Sequence, residues 1–218
     1  MAYKAIIAGA SGLIGSNLVN LLLQHPEYDE VLVLVRKTLP LSHPKLKQAV
    51  VNFDTLDKYT TIINGHALFS CLGSTNAKTP DKAVYRKIDH DYPVQLAQLA
   101  VENGVKQYHL VSSVGADFNS SQFYLKTKGE TERDVQATGV NILHIYRPSF
   151  LTGRKEHTRA GEQILNGLFS VLNYLMIGGL KKYQSIAAST VAKAMVNQSL
   201  TNNDGVFIHQ SDKIKELA

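Results

Sequence analysis

The stretch YKAIIAGASGLIG, residues 3–15, is a short apolar run that closes on three glycines spaced by threes. Tyr3 to Ala8 reads as a buried strand, and Gly9, Gly12 and Gly15 turn the chain into an amphipathic helix. Backbone without side chains at such a turn approaches a pyrophosphate closely. The helix that starts near Leu13 adds unpaired N–H groups and the positive end of its dipole. The stretch therefore predicts a dinucleotide site. Its spacing is G-x-x-G-x-x-G rather than G-x-G-x-x-G, because Ala10 stands where the first glycine of the second pattern would fall.

The rest of the chain sets the frame for that site. A chain of 218 residues supports one compact domain with a well-buried core, and 44% hydrophobic with 19% charged residues is an ordinary globular composition. The formal charge of +5 comes from scattered lysines and arginines, with no basic run interleaved with aromatics, so nucleic-acid binding is not expected. The single cysteine, Cys71, excludes an intramolecular disulfide, and a reducing cytoplasm is the expected location. Glycines interrupt the apolar N-terminal segment, and Ser170, Asn173, Gly178 and Gly179 interrupt the apolar stretch 168–180, so no membrane span is expected.

Beyond the glycine turn the pattern alternates. A helix is predicted over Leu13–Gln24, strands over 31–35, 48–53, from His66, 107–111 and 141–146, and helices opening at Thr79-Pro80-Asp81 and spanning about 121–138. Alternation of this kind gives an α/β fold, a doubly wound parallel sheet of Rossmann type with helices on both faces. Ligands in such sheets bind outside the carboxyl ends of the strands, so the loops after strands one, two, four, five and six are expected to converge. The alternation weakens past Arg147-Pro148. A charged loop at 154–159, helices near 162–176 and 190–200 and a strand at 205–209 follow, and residues 150–218 are expected to form a small substrate-side extension of a single domain.

Strand two ends at Arg36-Lys37, about 20 residues past the last glycine, where an NAD enzyme places an acid against the ribose 2′-hydroxyl. An arginine there suits a 2′-phosphate instead, which favours NADP(H) over NAD. In the stretch SSVGADFNSSQFYLKTKGE, Ser112 and Ser113 follow strand five, and Tyr124 stands four residues before Lys128. On a helix that spacing puts phenol and ammonium on one face, where the cation favours proton exchange by the phenol. A serine hydroxyl from the strand end would orient a substrate carbonyl. Cys71 lies in an apolar strand and reads as a core residue. Adjacent Asp89, His90 and Asp91 lack metal-ligand spacing, so no metal is assigned.

The order of these features, a glycine turn after strand one, serines after strand five and Tyr-x-x-x-Lys opening the next helix, resembles the short-chain dehydrogenase/reductase superfamily in its extended and atypical branches. GASGLIG, IDHDY, NGVKQ, LVSSVGAD, FYLKTKGETE and YRPSFL are similar to stretches of the Tat-interacting oxidoreductase family. The resemblance implies a pyrophosphate turn of Gly9, Ser11, Gly12, Leu13, Ile14 and Gly15, with Arg36 and Lys37 at the 2′-phosphate and Asp54 at adenine. It places Leu72 and Gly73 beneath the cofactor and Arg147 and Pro148 near the nicotinamide and substrate. Catalysis falls to Ser113, Tyr124 and Lys128. Ser113 is preferred to Ser112 because Ser-Val-Gly after the strand is the commoner arrangement. The asparagine that completes the superfamily's usual tetrad has no obvious counterpart, since Asp89-His90-Asp91 occupies the matching helix.

The expected activity is an NADP-dependent transfer of hydride between nicotinamide and a small-molecule carbonyl or alcohol, by a protein that a homo-oligomeric state would also suit. Two alternatives stand beside it: a regulatory protein that senses NADPH without turnover, and a nucleotide-sugar epimerase or dehydratase.

Overall fold

The computed structural model describes residues 3–153 and 178–218. The predicted charged loop at 154–159 and the helix near 162–176 lie outside the described residues. Strand β1 (Tyr3–Ala8) leads through the glycine turn into α1 (Leu13–Gln24), and β2 (Tyr28–Val35), β3 (Leu46–Val50) and β4 (Ala67–Ser70) follow. Next come α2 (Lys82–Arg86), a π turn over Lys87–Asp91, α3 (Tyr92–Glu102), β5 (Gln107–Val111), α4 (Phe123–Ala137) and β6 (Ile142–Arg147). The two-residue strands β7 (Leu151–Thr152) and β8 (Ile186–Ala187) pair with each other. Helix α5 (Ala188–Ser199), strand β9 (Gly205–Gln210) and helix α6 (Ser211–Glu216) end the chain.

Seven parallel strands form one sheet in the order β3-β2-β1-β4-β5-β6-β9. Period-two alternation divides β1 between two cores. Ala5 and Ile7 face α1 and α5 with Leu18, Leu22, Val191 and Met195, whereas Ile6 and Ala8 face α3 with Leu96 and Ala100. The strand order reverses between β1 and β4, which opens a crevice at their carboxyl ends. The part of the 150–218 extension within the described residues is built into these layers: β9 completes the sheet beside β6, and α5 packs on α1. No helix among the described residues is long and apolar enough to cross a membrane.

Local departures from the expected elements have identifiable causes. The helix forecast from Thr79 begins later, because Asp81 is the N-cap and its carboxylate accepts the amides of Ala83 and Val84. The third strand stops at Val50 rather than reaching Phe53. Asn52 instead caps a 3₁₀ turn over Phe53–Ile62, so Asp54 lies within that turn and not at a strand end.

A ladder of imidazoles runs through the sheet on the α5 side. His109 of β5 stacks on His144 of β6 at 4.8 Å, and His144 Nδ1 lies 2.9 Å from His209 Nε2 of β9. His109 also contacts the Tyr146 hydroxyl and the Gln107 amide oxygen. Burial, reinforced by the neighbouring imidazoles and Lys213, pushes His144 and His209 down to about 4 and His109 well below its usual value. The folded state thus holds these rings neutral while the unfolded chain binds protons from about pH 6.5 downward. Stability is therefore fully present above pH 6.5 and declines toward pH 4. Urea denaturation is expected to show a loss of at least about 2–3 kcal/mol between pH 7 and pH 4.5, the share of a single such ring, and His144→Phe is expected to reduce that dependence. A pH-independent stability over this range contradicts the account.

Candidate active site

The glycine turn is fixed by close approaches on its inner side. Gly9 adopts φ +86°, and a Cβ there would sit 2.4 Å from the Cys71 carbonyl oxygen on the neighbouring strand end. At Gly15 a Cβ would lie 2.2 Å from the Gly9 carbonyl oxygen, so this glycine lets α1 seat against the turn. Gly12, whose amide donates to Gly9 O at 2.9 Å, is the N-cap of α1. No side chain caps α1 and no acid stands in its first turn, in contrast to α2, whose first amides Asp81 occupies. The leading amides of α1 are left for an anionic ligand.

A cleft of about 810 Å³ opens over this turn, lined by Gly9, Ala10, Ser11 and Gly12 from the turn, Arg36 and Lys37 from the end of β2, and Leu72 and Gly73 from the loop after β4. Phe53, Ile88 and Tyr92 contribute its ring-sized apolar surface, and Lys78, which sequence reasoning missed, joins the rim. Three cations, Arg36, Lys37 and Lys78, therefore border the cleft, and no carboxylate does among the described residues. Asp54, expected at adenine, is not a lining residue; its carboxylate accepts from Lys87 Nζ and the Tyr92 hydroxyl, each at 2.9 Å, and these bonds hold it below the usual carboxylate range. Leu13, Ile14 and Gly15 support the turn from within the helix and do not line the cleft.

Ser113, Tyr124 and Lys128 lie beyond Gly73, outside the cleft lining. A Cβ on Gly73 would stand 3.6 Å from Lys128 Nζ, so the lysine reaches the underside of the cofactor-side loop. Loop 112–122 packs on α4 through a bond from Asp117 N to Leu125 O, and Gly129 lets the Asp117–Phe118 backbone cross the helix where a Cβ would meet it at 2.2 Å. This crossing brings the serine loop to the helix that carries Tyr124 and Lys128. Tyr124 is 37% exposed at the start of α4, whereas Lys128 is buried.

Two carboxylates absent from the predicted site organise it. Buried Glu132 accepts the Ser112 hydroxyl and a forked pair of bonds from Arg147. Ser112 is thereby committed, and among the described residues the Ser113 hydroxyl makes a 3.3 Å bond to the Val114 carbonyl. Arg147, expected near the nicotinamide and substrate, clamps β6 to α4 through Glu132, and the carbonyl of buried Pro148 accepts the Val114 amide. Neither lines the cleft. Asp89, 1% exposed, pairs with Lys128 Nζ at 2.9 Å. Burial alone would lower the lysine's pKa, but Asp89, Tyr124 and Glu132 outweigh it and raise it. The neighbouring His90 turns away to Asp91 and Asp134. Desolvation pushes the Cys71 thiol up to about 12, which makes it unreactive.

The fold and the glycine turn define a dinucleotide-binding protein of Rossmann type. A family model described as NAD(P)H-binding matches residues 9–203, and the chain belongs to that family. Among curated proteins, "Protein FMP52, mitochondrial" of Coccidioides immitis (strain RS) is 33% identical over all of this chain and 94% of its own length. "Protein HTATIP2" of Rattus norvegicus is 32% identical over 93% of this chain and 83% of its own. Among solved structures, the Bordetella bronchiseptica enzyme WbmH in complex with NAD+ aligns with a TM-score of 0.71 at 17% identity, covering 99% of this chain and 79% of that one. The dTDP-glucose 4,6-dehydratase DesIV of Streptomyces venezuelae, with NAD and TYD bound, gives 0.69 at 18% identity over 94% and 74%. The cytoplasmic location expected from the lone cysteine is overturned by the fungal relatives, which are named as mitochondrial proteins.

The two arginines are expected to separate in stability measurements. Removing Arg147 leaves the buried Glu132 carboxylate uncompensated, so Arg147→Ala should cost about 3 kcal/mol in urea denaturation. Arg36→Ala, at an exposed strand end, should cost no more than about 0.5 kcal/mol. Equal costs for the two substitutions contradict the assignment of Arg147 as a structural clamp.

Proposed function

We propose that this protein is an NADP(H)-dependent oxidoreductase acting on a small carbonyl or alcohol, with Ser113, Tyr124 and Lys128 as its catalytic residues. The reading is carried by the partly exposed Tyr124 one turn ahead of the buried, charged Lys128, which underlies the loop of a cleft whose charged lining residues, among the described residues, are all cations. When bound, the nicotinamide supplies or accepts the hydride. The chain's own contribution is binding and proton handling. The α1 amides and Gly12 receive the pyrophosphate, and Arg36, Lys37 and Lys78 favour a 2′-phosphate by charge-assisted bonds. Phe53 and Tyr92, whose ring centroids are 5.5 Å apart, offer apolar surface to a base. Ser113 orients the substrate oxygen, and Tyr124 exchanges the proton with it. Lys128 fixes the charge beside that phenol. Ser112 has no part in this chemistry because Glu132 holds its hydroxyl.

Tyr124→Phe removes one oxygen and leaves the ring, so NADPH affinity should remain within about twofold while turnover falls by about 10² to 10⁴. Lys128→Ala should impair both. The check is calorimetric titration with NADPH beside single-turnover assays on a panel of aldehydes and ketones. Undiminished turnover by Tyr124→Phe removes the catalytic assignment, and absence of turnover in the native protein with tight NADPH binding favours a sensing role.

A further inference from the structure

Lys128 is an ammonium enclosed by protein, and such a group stays charged only where a countercharge and hydrogen bonds replace its water. The groups acting on it are Asp89 from the π turn and Tyr124 and Glu132 from its own helix, with the Tyr85 hydroxyl of α2 set against Asp89. Only Asp89 makes a direct ion pair with it among the described residues. Glu132 is engaged by Arg147 and Ser112, and the outer pairs Arg86–Glu130 and His90–Asp134 that join these elements are satisfied among themselves.

Asp89 also does more than neutralise. Its second oxygen accepts the Ser74 amide at 2.7 Å, and the Tyr85 hydroxyl lies 3.4 Å from its first. Ser74 lines the cleft, its hydroxyl is 2.6 Å from that of Thr79, and the Tyr85 hydroxyl reaches its carbonyl at 3.3 Å. The carboxylate therefore touches the catalytic helix on one side and the cofactor-side loop on the other. Its backbone is pinned as well: the Thr131 hydroxyl donates to the Asp89 carbonyl at 2.9 Å. The π turn explains how this is possible, since a local i→i+5 pattern re-aims side chains and displaces carbonyls from the regular helical ladder.

We propose that Asp89 is the positioning residue of the site, an ionic brace that keeps Lys128 charged and locks the Gly73–Ser74 loop to it. The inference rests on Lys128 being the lysine of the proposed active site, but the brace exists whether or not a substrate is turned over. It assigns to a carboxylate the place for which the sequence offered no asparagine. Two surfaces that must act together, the nucleotide cleft and the proton-transfer helix, are set by one side chain.

The test is Asp89→Asn, which retains an acceptor for Ser74 and deletes the charge. Lys128 is titrated without cofactor by pH-dependent amine acylation read by peptide mass spectrometry, and NADPH affinity is measured separately. The half-reaction point of Lys128 is expected to fall by at least about one pH unit, because the largest charge opposing burial is gone and only Tyr124 and Glu132 still act against it, and NADPH affinity to fall about tenfold. An unchanged Lys128 titration overturns the proposal, even if the protein proves to be an active reductase. Absence of turnover with the expected Lys128 shift leaves the brace standing and removes only the reductase reading. If Asp89→Asn does not fold, Lys128→Met is added to it: recovery of a cooperative urea transition supports the ion-pair brace, and failure to recover overturns it.

Discussion

The burial of the Lys128 ammonium is the constraint around which the site is arranged. A cation in that position requires a carboxylate within contact distance, and Asp89 provides it at 2.9 Å with almost no exposure of its own. Because a buried carboxylate needs further donors, Asp89 recruits Ser74 and Tyr85, which draws the loop after β4 and helix α2 into the same network. A second carboxylate four residues along α4, Glu132, repeats the logic with Ser112 and Arg147 and anchors the ends of β5 and β6. The helix bearing Tyr124 is thus held by two charge networks at fixed separation. Pre-organisation of this kind leaves the exposed phenol as the part free to meet a ligand.

The nucleotide side is shaped by backbone rather than by charge pairs. Gly9 and Gly15 stand where an added Cβ would come within 2.4 and 2.2 Å of carbonyl oxygens, and by drawing α1 inward they expose its uncapped amides at the switch point of the sheet. Among the described residues, charge enters at the rim, where Arg36, Lys37 and Lys78 stand without an acid. The family match establishes NAD(P)H binding as a property of the family. The cationic rim is the physical ground for preferring the phosphorylated dinucleotide.

Much of this was legible in the sequence because it is local. The glycine spacing, the Leu13–Gln24 helix and the Gln107–Val111 strand appear where periodicity placed them, and the Tyr124–Lys128 spacing puts both groups on α4. Other features depend on partners remote in the chain. Lys78 reaches the cleft through the fold of the loop after β4, with no signal in its neighbours. Arg147 belongs to Glu132 and Asp54 to Lys87 and Tyr92, pairings that spacing alone does not reveal. The role of Asp89 was hidden by a π turn, since helical periodicity does not say which of three consecutive polar residues turns inward. Location was misread for a different reason: one cysteine excludes a disulfide but does not specify a compartment.

The central claim is that a cation-rimmed cleft over the glycine turn selects NADP(H) and presents it to the Lys128 helix. Calorimetric titration of the native protein with NADPH and NADH in parallel, repeated on Arg36→Ala and Lys78→Ala, tests it most directly. The account predicts tighter binding of NADPH by roughly one to two decades, corresponding to about 1.5–3 kcal/mol of charge-assisted bonding, with most of that preference lost in Arg36→Ala. Equal affinities for the two dinucleotides in the native protein, unchanged by either substitution, would contradict it.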